Sequence, residues 1–309
     1  MIDENGSFRD PAGKIYYEDN RVFRKLTALG TERFLELQNI NIISKSIEKG
    51  FLVETKVIKN QNKNDENKNE LILEHKKIPY ISYPYEWSFS QLKDAAIFHL
   101  DFHLFLLKNN ATLIDASAYN IQFIGSELKF IDVLSVQRYN EGEFWVGHKQ
   151  FCENFLNPLI LKSKKGIKFN NWFKGNLEGI ETRELNNLLG VFDKFSYNIF
   201  VHIYLLNKFD EKYKSKKSLK PISQTKKQFS KKSFVALLSQ LRKFILKLKD
   251  YKNVTTWDDY SINNTYSDLD KIQKKDCIKE FCKKNTFDLI ADLGCNNGEY
   301  SILSLNNGC

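Results

Sequence analysis

Residues 288–298 read Asp288-Leu289-Ile290-Ala291-Asp292-Leu293-Gly294-Cys295-Asn296-Asn297-Gly298, an apolar run closing on an acid and a glycine-rich turn. These types suit the binding of a nucleotide cofactor. Glycine at 294 and 298 lets backbone approach a ligand with no Cβ in the way, amides beyond the turn can meet a carboxylate or phosphate, and Asp292 can accept a hydrogen bond from a cofactor amine. A second constellation is Asp115, Asn120 and Asp132. Carboxylates and a side-chain amide are residue types that can accept protons and offer hard oxygen atoms. His99 and His103 stand four apart on a helix face, a metal-ligand spacing, but Leu100 occupies the place where HExxH carries its glutamate, so core histidines are expected.

Each set needs elements that position it. For the first, the sequence predicts a helix over 269–284, a buried strand over 287–293, the turn, and a following helix, which is the strand–turn–helix context such a loop requires. For the second, Ser88 with Gln91 has capping-box spacing, and Leu92, Ala95, Ala96, His99, Leu100, His103, Leu106 and Leu107 continue with helical period to about Asn109. Residues 121–131 then read as a hairpin with a three-residue loop, Gly125-Ser126-Glu127. With Ser126 at its centre, Asn120 faces Asp132 and Asp115 is held nearby.

Upstream, Pro11 and Gly13 punctuate short β-prone runs around Lys14-Ile15-Tyr16-Tyr17 and Arg21-Val22-Phe23-Arg24, which predicts a small sheet. A helix is expected over 31–38, further strands at 71–73 and 80–83, and a loop over 59–69. Lys25 and Arg24 are equally placed to reach a ligand's phosphates, with Glu36 as a conceivable helix partner. Helices over 144–162 and 184–208 would build a helical lobe behind the hairpin.

The 309 residues suggest about two domains, and 42% hydrophobic content is ample for packed cores. The net charge of +9 is local: residues 208–249 hold fourteen Lys or Arg against Asp210 and Glu211, a segment charge of +12 that leaves −3 for the rest. Its first part, 213–233, has little apolar content and reads as a basic linker. Phe234, Leu237, Leu238, Leu241, Phe244, Ile245 and Leu248 then form an amphipathic helix expected to pack on a domain. Contact of the 212–249 segment with an anionic surface is the other reading. No stretch approaches the roughly 18 apolar residues of a membrane span. The N-terminus lacks the charged start and apolar core of a secretory signal, so a cytoplasmic location is expected. Cys152, Cys277, Cys282, Cys295 and Cys309 show no CxxC pair or matching histidine cluster, and free thiols are expected rather than zinc or disulfides.

The order long helix, Asp115, Asn120, hairpin, Asp132 resembles the kinase and aminoglycoside-phosphotransferase superfamily. That resemblance implies Asp115 as the proton-accepting base, Asn120 and Asp132 as magnesium ligands, and Mg-ATP as a bound nucleotide. The chain departs from the pattern at Leu113 and Ile114, where kinases carry His and Arg, at Val133-Leu134 in place of Phe-Gly, and in having no GxGxxG in the first eighty residues. The stretch Asp292-Leu293-Gly294-Cys295-Asn296-Asn297-Gly298-Glu299 resembles motif I of class I S-adenosylmethionine (SAM) methyltransferases, with Asn296 in place of the middle glycine. It implies that Asp292, Gly294, Cys295, Asn296 and Gly298 hold SAM, at its methionine portion. With Phe8-Arg9-Asp10-Pro11-Ala12-Gly13 at the start and the Asp115–Asp132 region at the centre, nearly the whole chain resembles bacterial SAM methyltransferases with a long N-terminal extension. The methyl acceptor is not readable.

The expected fold class is therefore α+β: a kinase-like N-terminal domain of small sheet plus helical lobe over 1–209, a basic linker and amphipathic helix over 210–252, and the first unit of a Rossmann-like α/β methyltransferase domain over 253–309. In a Rossmann-type site an acid about 20 positions past the glycine turn binds the ribose, which falls beyond Cys309. One apolar strand cannot bury itself alone, so a truncated product or partial gene is expected.

Overall fold

The computed structural model describes residues 2–4, 10–58, 71–205, 230–251, 265–285 and 287–309. Phe8 and Arg9 of the opening motif, the 59–69 loop and most of the basic linker lie outside the described residues. The chain divides into two compact units, Met1–Tyr251 and Lys252–Cys309. Its class is mixed α+β, with a small antiparallel sheet and many helices.

In the first unit, β1 (Ile2–Asp3), β2 (Gly13–Glu18), β3 (Arg21–Leu26), β4 (Thr55–Ile58) and β5 (Ile72–His75) form one antiparallel sheet in the order β1-β2-β3-β5-β4. Helix α1 (Ala28–Asn39) follows β3 directly, its N-cap Thr27 accepting from the amide of Gly30. Gly30 is required here for packing, since a Cβ would stand 1.9 Å from the Ala12 carbonyl oxygen. That close approach ties the 10–12 turn to the helix. The segment 80–83 is not a strand. Instead the Gln122 side chain accepts from the Ser82 amide at 3.0 Å and donates to its carbonyl at 3.1 Å, using up the backbone groups a ladder would need.

Helix α2 (Ile42–Glu48) precedes β4, and α3 (Phe89–Lys108) is the central helix. The Ser88–Gln91 capping box forms in both directions, and Leu92, Ala95, Ala96, His99, Leu100, Phe102, His103, Leu106 and Leu107 are buried. After it come β6 (Ala111–Leu113), the hairpin β7 (Ile121–Ile124) and β8 (Glu127–Phe130), and β9 (Val136–Arg138), which pairs with β6. The hairpin register is Ile121↔Phe130 and Ile124↔Glu127, so the loop is Gly125-Ser126 alone, not three residues. Gly125, at φ +62, supplies the left-handed first position that a tight two-residue turn demands. The one-residue difference places Ile131, not Asp132, at Asn120: its amide donates to the Asn120 carbonyl at 2.9 Å.

Expected as one helix over 144–162, the next segment begins only at α4 (His148–Phe151), widens into a π turn (Cys152–Leu156) and resumes as α5 (Asn157–Lys165). Pro158 lacks an N–H and its ring crowds the carbonyl four residues back, which accounts for the widened turn. Then follow α6 (Asn170–Gly175), α7 (Thr182–Leu188), α8 (Tyr197–Ile199) and a second π turn, Phe200–Leu205. The amphipathic helix α9 (Lys231–Lys247) belongs to the first unit. Phe234, Leu238, Leu241 and Ile245 are fully buried, and Arg242 clamps Asp101 of α3 with bonds of 2.5 and 2.9 Å. Its apolar face is thus taken up inside the unit.

The second unit contains α10 (Asp268–Lys284), opened by a Ser267–Asp270 capping box, and α11 (Glu299–Leu305). The buried strand expected over 287–293 does not form: among the described residues of this unit none pairs in a ladder, and Leu289 and Leu293 are 88% and 94% exposed. A strand is stabilised by its neighbours' hydrogen bonds and packing, and 287–293 has neither here. The Rossmann-like unit remains an expectation.

Candidate functional site

Alternation along β3 decides between the two cationic candidates. Arg24 is buried and shares with Val22 the lining of a cleft between the sheet and the segments that flank the β7–β8 hairpin, while Lys25, on the other face, is exposed. The cleft, of about 780 Å³, is walled by Ile15, Val22, Val53 and Ile131 and brings Asp115, Asn120 and Asp132 together with Arg24, His75 and Asp10. Sequence reasoning located three of these. It missed Asp10, which the Gly30 contact and the 10–12 turn bring in, and His75. Glu36 lies exposed on α1 and is not the partner of Arg24.

Arg24 is 8% exposed and pairs with two acids, Nη1 with Asp132 at 2.5 Å and Nη2 with Asp10 at 2.5 Å. Burial by itself would lower its pKa, and the two carboxylates more than compensate, so it is held above the usual range. Asp132 also caps the short turn after β8, accepting from the amide of Leu134 at 3.3 Å and the hydroxyl of Ser135. Burial pushes its carboxyl up, but the charge of Arg24 and these hydrogen bonds outweigh it, and the pKa is lowered. Asp115 behaves oppositely. Burial raises it, the nearby Asp132 charge raises it further, and the bond from the Ser117 amide at 2.8 Å, with the weaker pull of the nearby Gln150 and Asn120 side chains, only partly offsets this. A carboxylate of raised basicity is what proton acceptance requires. His75, beside Thr55 Oγ1 at 2.9 Å, is pushed down to about 4, by burial first and by Arg24 second.

The geometry does not fit magnesium on Asn120 and Asp132. The Asp132 carboxylate is already engaged by the Arg24 guanidinium, which a magnesium ion on Asp132 would have to displace. The other charged residues lining the cleft are Glu4, Lys76 and Lys77, giving four acids against three cations. Such a balance disfavours a polyphosphate without metal.

In the second unit the turn adopts the conformation its residues suggested. Gly294, Asn296 and Gly298 all lie in the left-handed region, at φ +82, +50 and +79. A Cβ at Gly294 or Gly298 would meet no heavy atom within 4 Å, so both backbones face open space. The Gly298 amide closes the turn on the Cys295 carbonyl at 2.8 Å, and Asp292 accepts from Ser301 Oγ at 2.7 Å. Residues 292–297 line a cavity of about 510 Å³ with Tyr266, Lys274, Lys275, Glu299 and Tyr300. Lys275 is paired with Glu299 at 2.7 Å, and Lys274 lies over the Tyr300 ring at 4.4 Å. All five expected cofactor residues except Gly298 line this cavity, and Gly298 ends the turn that shapes it.

No protein-family model matches the chain. Vaccinia related kinase 3 superposes with a TM-score of 0.30 and 13% identity, over 45% of this chain and 48% of its own, a likeness too low to assign a fold. The nodulation protein NoeA of Rhizobium meliloti (strain 1021) is 36% identical over 305 residues, which are 98% of this chain and 64% of the relative. The chain therefore spans just under two thirds of that relative's length, and its similarity to NoeA runs through both the cleft of the first unit and the glycine turn of the second.

Proposed function

We propose that the chain is of the class I SAM-dependent methyltransferase lineage, with the 292–298 turn receiving the methionine portion of SAM and the first unit selecting or presenting the methyl acceptor. The observation that carries this reading is the turn itself: left-handed Gly294 and Asn296 line a cavity beside Asp292, left-handed Gly298 closes the turn, and both glycines face open space. The fit is confined to the methionine end. Asp292 would accept from the cofactor's amine, and the exposed backbone of Gly294 would lie against its chain. SAM, when bound, supplies an electrophilic methyl group; the residues here hold and orient it. Similarity to NoeA across both units supports a shared role for them, and a link to nodulation, the property in that relative's name, is part of the proposal. The competing reading, a kinase-like phosphotransferase using Asp115, Asn120 and Asp132 with Mg-ATP, has weaker support because Arg24 already occupies the Asp132 carboxylate.

Saturation-transfer NMR with SAM at millimolar concentration tests it, since the method registers weak ligands. Transfer to the methionyl protons is expected for the wild-type chain and is expected to vanish in Asp292→Ala and in Gly294→Val. Absence of transfer in the wild type, or transfer that survives both substitutions, overturns the reading.

A further inference from the structure

We infer that His148, Cys152 and His202 form a binding site for a borderline-soft divalent transition metal, zinc above all. The three come from two separate segments of the first unit: His148 in α4 and Cys152 in the π turn that follows lie one turn apart, and His202 is in the second π turn. His148 Nε2 is 2.8 Å from His202 Nδ1 and 3.8 Å from Cys152 Sγ, and all three ligating atoms lie within 4.8 Å of one another. In a tetrahedral zinc site, Zn–N bonds of about 2.0 Å and a Zn–S bond of about 2.3 Å place ligand atoms roughly 3.3–3.6 Å apart. The observed spacings bracket that range, so rotations of under an ångström at the side-chain ends would complete the shell.

Two further observations point to the same place. Pro158 accounts for the first π turn, but the second, Phe200-Val201-His202-Ile203-Tyr204-Leu205, has neither Pro nor Gly to cause it. Widened turns of this kind recur at functional sites, and this one presents His202 to the cluster. Cys152 and His202 are buried, and His148 is partly exposed. Two imidazoles and one thiolate select against hard ions such as magnesium or calcium and suit zinc or copper.

The proton balance is simple. The ion replaces the Cys152 thiol proton, which is released to solvent. The proton in the His148 Nε2–His202 Nδ1 hydrogen bond moves to the outer nitrogen of the ring that donates it, and the other ring already carries its proton there, so that both ligate as neutral imidazoles. The complex carries one net positive charge, and its fourth position is left to water. Its role is a clamp that holds the 200–205 segment against the 148–165 helix across about fifty residues of intervening chain.

Cobalt(II) substitution tests the site in a chain with Cys277, Cys282, Cys295 and Cys309 changed to Ser, so that Cys152 is the one remaining thiol. One equivalent of Co²⁺ is expected to give thiolate-to-cobalt absorption in the near ultraviolet with tetrahedral visible bands, displaced by Zn²⁺. One proton is expected to be released per ion. Cys152→Ser is expected to abolish the charge-transfer band, and His202→Gln to weaken zinc binding by more than about 100-fold. Should Cys152→Ser fail to fold by circular dichroism, cadmium NMR of the folded parent decides, with a shift for one sulfur and two nitrogens expected. No band in the folded parent, a band that survives Cys152→Ser, or a cadmium shift without sulfur overturns the proposal.

Discussion

Acidification from pH 7 to pH 4.5 in the presence of EDTA is expected to unfold the first unit. All five histidines of the chain lie in it. His75, His99, His103 and His202 are buried and His148 is half-buried. Burial depresses each: His75, His99 and His148 to about 4, His202 to about 3, and His103 well below its ordinary value. The unfolded chain takes up protons on these rings near pH 6.5, whereas the folded chain resists until near pH 4. The unfolded state therefore binds more protons throughout that window, so stability is full above about pH 6.5 and is lost as pH falls toward 4. One such histidine contributes a slope of about 1.4 kcal/mol per pH unit. The four buried rings, His75, His99, His103 and His202, acting together approach ~5 kcal/mol per unit, which over two units rivals the ~5–15 kcal/mol total stability of a domain. Asp115 acts in the opposite sense, gaining on protonation, but it is one group against four. His99→Phe isolates a single contribution, because His99 already sits among Phe130, Phe151 and Phe155 with ring centroids 6.2, 5.3 and 5.7 Å away. Urea titrations of the variant across the same pH range should show a shallower slope and an acid midpoint moved to lower pH. Stability independent of pH between 7 and 5 would show that these rings are hydrated or charged in the fold.

Arg24→Met is expected to cost about 3–5 kcal/mol, because it leaves Asp10 and Asp132 facing one another without their shared cation. Removing a carboxylate as well, in Arg24→Met/Asp132→Leu, should recover part of that loss, and the double-mutant cycle in urea reads the coupling directly. A change below ~1 kcal/mol for Arg24→Met would mean that the pair is solvated and contributes as a surface bridge does. The same pair bears on nucleotide chemistry. With Asp132 neutralised, thermal unfolding of the wild type should not respond to ATP with magnesium; a magnesium-dependent shift that disappears in Asp132→Ala would reinstate the kinase-like reading.

Local pattern was legible where a single element suffices. The Ser88–Gln91 box, the period of α3 and the buried face of α9 follow from spacing along one helix, and the left-handed turn at Gly294 and Gly298 follows from residue type. Errors arose where a second segment decides. The hairpin loop is one residue shorter than its sequence predicts, because Gly125-Ser126 and Gly125-Ser126-Glu127 are both good turn sequences and only pairing selects between them. The 287–293 stretch has a strand's composition without a partner to make it one.

Sequence alone determined two motifs in outline: an acid–amide–acid set after a long helix, and a left-handed glycine turn. Tertiary structure alone decided that Arg24 and not Lys25 enters the cleft, that Asp10 joins it from 122 residues before Asp132, and that His202 meets His148 and Cys152 from about fifty residues away. The reason is range. Helical period and turn chemistry are set by neighbours a few residues apart, whereas the face a strand side chain takes, and the charge or ligand it meets there, depend on packing between segments whose separation along the chain carries no local signal.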